Sequence, residues 1–293
     1  MKIDKKIAPY VFLSPALVFY AIFFFVPVGF SVYVSFHSWN MLTPLGDMEW
    51  IGSENYRELV VHDDLFPQVL FNTIAFSVGQ VLLVMILALP IAMLIVRSRL
   101  KVVWRTIYFL PLVTSVVAIS YIWMFLYHPG YGLVNAVFRI AGITGLQWLN
   151  SPDSALVSII FVAVWANIGI FIIIYMIGLE NIPAAYYEAA QIDGANGWQK
   201  FKEITIPFLK PTMLFVVVYG MITSFQAFTL VLIMTGGGPV NSTRVLALYM
   251  YEKAFEQLNM GEATAMVFIL FTIMFAFTVL QLRIFRRGGV EAY

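Results

Sequence analysis

The sequence contains no cysteine, which excludes disulfides, thiolate metal sites and cysteine nucleophiles. It is also poor in charge: Asp, Glu, Lys and Arg make up 11% of its 293 residues, against 61% apolar residues and a mean hydropathy of +0.87. Water-soluble domains do not have this balance, so the solvent of the chain is lipid. The net charge of +1 gives no reason to expect nucleic acid as a partner. The placement of the charges is more informative than their sum.

Other absences narrow the function. There is no GxxxxGK(S/T) phosphate loop; the nearest glycine cluster, Thr235-Gly236-Gly237-Gly238-Pro239, lacks the lysine and reads as a turn. His37, His62 and His128 are scattered singly, with no HExxH and no paired carboxylates, so neither metal ligation nor a membrane enzyme has support. No catalytic grouping and no cofactor site is expected in this chain. The long apolar runs contain no Asp, Glu, Lys, Arg or His, which argues against an intramembrane proton relay. Active solute movement by such a chain would draw its energy from another subunit.

What is present is hydrocarbon-compatible length. A helix crossing the bilayer needs about 20 mostly apolar residues, and six segments qualify: 8–35, 69–96, 106–126, 155–179, 213–234 and 263–282. The first run, 7–34, exceeds the h-region of about 7 to 15 residues in a cleavable signal, so it reads as a retained span. Pro15, Pro27 and Pro90 fall inside spans and predict kinks. The expected fold is an all-α membrane protein of about six transmembrane helices: a cytoplasmic N-terminus 1–7, a single transmembrane domain 8–285 and a cytoplasmic tail 286–293.

Lysine and arginine set the orientation, because cytoplasmic connections retain positive charge. Of 17 such residues, thirteen fall on one side: Lys2, Lys5 and Lys6, then Arg97, Arg99, Lys101 and Arg105, then Lys200, Lys202 and Lys210, then Arg283, Arg286 and Arg287. Arg57, Arg139, Arg244 and Lys253 fall on the other. Both termini are therefore expected in the cytoplasm of a multi-pass cell-membrane protein. The outer segment 36–68 carries Asp47, Glu49, Glu54, Glu58, Asp63 and Asp64, and 243–257 has the spacing of a short external helix. Trp39, Trp50, Trp123 and Trp148 fall near outer boundaries, as interfacial aromatics do.

The longest cytoplasmic connection is 180–211. Pro183 can open a helix, Glu188, Ala189 and Ala190 favour it, and Asp193-Gly194 stops it. A second short helix is expected over 198–204, before Pro207 and Pro211. Small side chains at Ala184, Ala185, Ala189 and Ala190 would let another protein approach closely, with Glu188 and Asp193 as anionic contacts. On residues alone, an ordinary solvated loop is an equal reading. Within the spans, Gly220, Thr223, Ser224 and Ala227 recur at i, i+3, i+4 and i+7, and Ala163, Asn167 and Ile170 form a similar stripe. Such stripes line solute paths, but they also mediate plain helix packing; Gln80 and Gln226 carry the same ambiguity. Uncharged polar lining suits a neutral polyol better than a charged solute. A stand-alone facilitator, or a structural or receptor protein, also fits spans free of charge.

The loop carries a resemblance. Glu188-Ala189-Ala190, Asp193-Gly194-Ala195, Phe201, Ile204, Pro207 and Pro211 resemble the EAA motif of permease subunits in binding-protein-dependent ABC importers. Segments 35–40, 52–56, Asn72-Thr73, Tyr108-Phe109-Leu110-Pro111, Trp148-Leu149-Asn150 and 235–239 are similar to the carbohydrate-importing branch, in its MalF-like half. Ile206 departs conservatively from the commoner leucine. The chain matches the minimal six-span form, without the extra N-terminal helices and large periplasmic domain of some enteric members.

The resemblance implies a type I importer permease bundle with a cytoplasmic coupling helix. It implies pairing with a second homologous permease, docking on a cytoplasmic ATPase dimer that carries ATP and Mg, and delivery of a sugar or oligosaccharide by an extracytoplasmic binding protein. Glu188, Ala189, Ala190, Asp193, Gly194 and Ala195 would form the ATPase-coupling element, with Gly194 turning out of the groove. Asn167, Ile170, Gly220, Thr223, Ser224 and Ala227 are similar to positions along the substrate path. Glycerol phosphate and related solutes also occur in the family.

Overall fold

The computed structural model describes residues 8–143 and 145–287; Lys2, Lys5, Lys6 and the tail beyond residue 287 lie outside the described residues. Helices in chain order are α1 (Phe12–Ser35), α2 (Phe66–Arg97), α3 (Lys101–Val113), α4 (Val116–Leu126), α5 (Leu133–Ile140), α6 (Pro152–Glu180), α7 (Ala184–Ile192), α8 (Gly197–Phe225), α9 (Thr229–Met234), α10 (Leu246–Tyr251) and α11 (Met260–Arg287). Five of them, α1, α2, α6, α8 and α11, are long and apolar enough to cross a bilayer. The helix expected within 243–257 is α10, which continues into a π-turn over Glu252–Glu256.

Two expected spans are broken. The third, 106–126, is not one helix: α3 and α4 meet at 98°. Pro111 lacks an N–H, and Thr114, in extended conformation, closes the end of α3 by donating its N–H to the Pro111 carbonyl at 3.1 Å; the chain then restarts in a new direction. The fifth, 213–234, stops at Phe225 and resumes as α9 after Gln226, Ala227 and Phe228. Here Thr223 and Ser224 hydroxyls donate back to carbonyls three and four residues earlier, competing with the helical ladder near its end. The second loop helix, expected over 198–204, is instead continuous with the membrane helix: α8 runs through a π-turn at Phe201–Thr205 without a break.

The described residues gather into two compact units. The first comprises residues up to Phe66 with Met250–Phe271. It contains α1, of whose apolar window only 6% is buried, as suits a helix apolar on all sides and solvated by lipid. A short antiparallel pair, β1 (His37–Ser38) with β2 (Glu49–Trp50), follows it. Buried Asn55 donates through Nδ2 to the carbonyls of Ser35 at 2.8 Å and His37 at 3.0 Å. Lys253 lies 2.6 Å from Glu262 and 3.6 Å from Asp63, with all three side chains 11–13% exposed.

Removing one member of a mostly buried ion group strands the others, at a cost of about 3–5 kcal/mol. Lys253→Met is therefore expected to lower the thermal unfolding midpoint of the detergent-solubilised protein clearly. An unchanged midpoint would show the triad to be dispensable.

The second unit comprises Pro67–Tyr249 with residues from Thr272 onward. Its axis is α6, 56% buried over its apolar window, with Ile159, Val162, Phe171, Ile172, Tyr175 and Met176 at 0–1% exposure. Small residues permit its close crossings. A Cβ on Gly169 would lie 2.1 Å from the Tyr108 carbonyl oxygen of α3, and one on Gly178 would lie 2.6 Å from Thr212 Oγ1 of α8. The second halves of the two broken spans, α4 and α9, pack on each other. Asn72 donates to the carbonyls of Asn241 at 2.8 Å and Arg244 at 3.1 Å, and Thr73 Oγ1 accepts from the Leu246 N–H at 2.7 Å, so this pair pins the 235–246 connection to α2. Gly236 and Gly237 in that connection sit at φ of 57° and 87°, the left-handed turn conformation that glycine adopts freely.

Candidate functional site

The two helix breaks open onto one cavity of about 220 Å³ within the second unit. Pro111, Thr114 and Val116 line it from the first break and Gln226, Ala227 and Phe228 from the second, with Gln80 of α2, Asn167 of α6 and Thr223 of α8 completing its polar wall. No charged side chain is among its lining residues.

The state of each polar group shows what the cavity can bind. Gln80 is 4% exposed, and its amide has no hydrogen-bond partner among the described residues. The amide lines the cavity and is not among the fully buried polar atoms, so a group in the cavity that both donates and accepts can pair with it, at about 1 kcal/mol net for each bond. Asn167 spends one amide hydrogen on the Ala163 carbonyl at 2.9 Å, which orients the side chain and leaves its carbonyl oxygen as an acceptor. Thr114 and Thr223 donate to carbonyls of their own helices, at 2.9 Å to Leu110 and 2.9 Å to Tyr219, which leaves each hydroxyl oxygen able to accept. The wall therefore offers amides and hydroxyl acceptors without net charge.

The sequence-derived candidates divide. Asn167, Thr223 and Ala227 line the cavity, as do Gln80 and Gln226. Gly220 does not: a Cβ there would meet Val81 at 3.2 Å and Phe171 at 3.6 Å. Ser224 is 2% exposed and donates to the Met221 carbonyl at 2.9 Å, and Ile170 packs against the apolar core. Thr114, Phe228 and Thr229 also line the cavity, and sequence reasoning missed them. The available signal was Pro111 followed by Thr114-Ser115, a proline and two adjacent hydroxyls in a mostly apolar run.

The loop below α6 forms a second structured element. Pro183 caps α7 in extended conformation. At the other end the Ala195 N–H donates to the Ala190 carbonyl at 2.8 Å and the Gly194 N–H to the Gln191 carbonyl at 3.2 Å, the Schellman pairing, with Gly194 at φ 77°. Asn196 then opens α8 with a reciprocal capping box, accepting from the Gln199 N–H at 2.9 Å while Gln199 Oε1 accepts from the Asn196 N–H at 2.7 Å.

The turn is thus rigid, yet its outer face is bare. Glu188, Ala189, Asp193 and Gly194 are exposed, while Ala190 and Ala195 are half-buried. Ile192 is 87% exposed, and neither the Glu188 nor the Asp193 carboxylate has a partner among the described residues. Rings of Tyr186 and Phe208, 4.7 Å apart, and the Tyr187 hydroxyl, 2.9 Å from Thr205 Oγ1, fix α7 to α8 from the inner side.

Comparison with known proteins follows the same lines. Residues 69–288 match the model of the binding-protein-dependent transport system inner membrane component. The probable ABC transporter permease protein YurN of Bacillus subtilis (strain 168) is 35% identical over 98% of this chain and 99% of its own length. The trehalose/maltose transport system permease protein MalF of Thermococcus litoralis is 31% identical over 95% of this chain and 94% of its own. Among solved structures, a chain of a bacterial alginate ABC transporter, crystallised with a periplasmic protein bound to alginate pentasaccharide, superposes with a TM-score of 0.84 at 21% identity, covering 100% of both chains. At that identity the likeness establishes the fold.

Proposed function

The chain belongs to the family of binding-protein-dependent transport system inner membrane components, and from that membership we propose that its uncharged cavity is the passage for a sugar or oligosaccharide. It is a multi-pass permease subunit of an ABC importer. The observation that carries the solute class is the Gln80 amide, 4% exposed, without a partner, in a cavity with no charged lining residue. A polyol both donates and accepts and needs no counter-charge; a phosphate or an amino acid would leave its charge unmatched. The trehalose/maltose relative is consistent with this reading.

The remaining parts follow from the same premise. The cavity of one permease is completed by a second homologous permease, the solute is handed over by an extracytoplasmic binding protein, and ATP and Mg reside on a cytoplasmic ATPase dimer. Both termini and the loop 180–211 face the cytoplasm, as the thirteen basic residues on that side favour. The exposed face of α7, with Glu188, Ala189, Ala190, Asp193, Gly194 and Ala195, is the contact for the ATPase. A stand-alone facilitator has no use for a doubly capped helix presenting unpaired carboxylates and an exposed isoleucine.

The test is uptake by cells carrying the complete importer. Gln80→Leu with Asn167→Leu removes two hydrogen-bonding amides and keeps approximate volume; at about 1 kcal/mol for each bond, ATP-driven sugar uptake is expected to fall roughly tenfold or more. Affinity of the binding protein for the sugar should not change. Wild-type uptake in the double variant would remove the cavity from the path.

A further inference from the structure

A second cavity, of about 340 Å³, lies where the loop meets the bundle. Its apolar side is Met93 and Val96 of α2 with Leu179 of α6; Arg97, at the end of α2, and Lys200, in the first turn of α8, supply its charge. No acidic residue lines it. Other cations nearby are matched: Lys101 and Arg105 lie 3.6 and 3.1 Å from Glu180, and Lys202 lies 3.8 Å from Glu203. Neither the Arg97 guanidinium nor the Lys200 ammonium has an ion-pair or hydrogen-bond partner among the described residues. The hydroxyls at the back of the cavity are already committed, Tyr187 to Thr205 at 2.9 Å and Thr205 onward to the Lys200 carbonyl at 3.3 Å.

Two like charges around one half-enclosed space repel each other, and an anion between them reverses the sign of that energy. The apolar floor beneath them favours an anion that carries hydrocarbon. In the orientation argued above, this cavity lies at the cytoplasmic ends of α2 and α6, at the level of the inner-leaflet headgroups, whose anionic lipids attract basic residues.

We propose that this cavity binds a phosphate-bearing anionic group, supplied by an inner-leaflet lipid, and that its occupancy ties α7 to the end of α2. The inference rests on the orientation in the proposed function. It adds regulation to that function: Tyr187 of α7 forms part of the wall, so a bound headgroup bridges α2, α7 and α8 and biases the position of the coupling element.

The experiment uses the complete importer in nanodiscs of phosphatidylcholine alone or mixed in equal parts with phosphatidylglycerol. Native mass spectrometry reads the lipid retained on the permease, and ATP hydrolysis is measured in parallel. Wild type should retain phosphatidylglycerol and hydrolyse ATP faster in the mixed discs. With about 1 kcal/mol for each cation near an anionic surface, Arg97→Gln with Lys200→Gln should lower phosphatidylglycerol affinity roughly 30-fold.

Arg97→Lys with Lys200→Arg keeps both charges and should preserve retention, and Arg99→Gln, outside the cavity, should not alter it. Equal retention by wild type and the double Gln variant overturns the proposal. If inorganic phosphate added to phosphatidylcholine discs reproduces the stimulation without retained lipid, the lipid source is overturned. If the double Gln variant loses its ATPase subunit while retaining phosphatidylglycerol, the cations serve a partner's acid and the proposal falls. Lipid retention does not depend on transport, so failure of the importer reading is seen separately, as absent ATP-driven uptake by wild type.

Discussion

Gly169→Val is expected to remove the folded protein from the detergent extract. A Cβ at this position would lie 2.1 Å from the Tyr108 carbonyl oxygen, 2.8 Å from its carbonyl carbon and 3.3 Å from the Phe109 Cα. All three are backbone atoms, so no side-chain rotation relieves the contact. Helix α3 would have to lift off α6 along a seam where Ile168, Phe171 and Ile172 are buried.

Overpacking against movable side chains already costs about 1–3 kcal/mol. Backbone against backbone belongs with the exceptional substitutions, on the order of 4 kcal/mol or more out of a total of about 5–15. Size-exclusion chromatography of the solubilised protein should show the wild-type peak lost or aggregated. Gly197→Ala is the internal comparison, because a Cβ there meets nothing within 4 Å and alanine favours the first turn of α8. Matching elution profiles for the two variants would mean that α3 does not sit on α6 at this distance.

The seam also explains which parts of the fold could be read from the sequence. Helices α1, α2, α6, α8 and α11 follow from runs of apolar residues, because in lipid a spanning backbone must satisfy its own hydrogen bonds. A break in a span leaves that signal untouched. The two halves of 106–126 pass together as one apolar stretch despite the 98° bend between them, and what turns the chain is local chemistry at Pro111, Thr114 and Ser115. The stripe Gly220, Thr223, Ser224 and Ala227 presupposes a helix to Ala227. Because α8 ends at Phe225, Ala227 falls outside the helix; it lines the cavity with Thr223, while Gly220 faces Val81 and Phe171 and Ser224 is buried.

Gly169 has no sequence signature, since only the partner backbone reveals its role. Trp148 reads as an interfacial aromatic, yet its ring stacks on Tyr127 at 4.8 Å and its Nε1 donates to Asn135 at 2.7 Å. The loop was legible for the opposite reason. Proline at a helix start and glycine at a left-handed cap are dictated by a few adjacent residues, and the structure places Gly194 at φ 77° as that logic requires.

Glu188→Lys is expected to reduce ATP-driven uptake by on the order of 100-fold while leaving the permease in the membrane at its normal level. The two halves of that expectation have separate causes. Within the chain the Glu188 carboxylate is exposed and touches no partner, so its replacement should change stability by no more than about 0.5 kcal/mol. At a docked interface the same reversal sets a cation where an anion is matched, which costs several kcal/mol of coupling.

Gly194→Asp tests the same element by a different route. A non-glycine residue in the left-handed region costs up to about 1–2 kcal/mol, with aspartate at the low end, and that cost loosens the Schellman pairing to Ala190 and Gln191 that aims α7. Both variants act at the foot of α8, a single helix that begins at the Asn196 capping box and ends at the break beside Gln226. Allosteric coupling needs an element with two arrangements that both ligands bias, and α8 runs from the turn after α7, the proposed ATPase contact, to the cavity. Glu188→Lys and Gly194→Asp should therefore reduce copurification of the ATPase together with uptake. Gln80→Leu with Asn167→Leu should reduce uptake alone. If Glu188→Lys and Gly194→Asp both transport at the wild-type rate, power does not enter through α7.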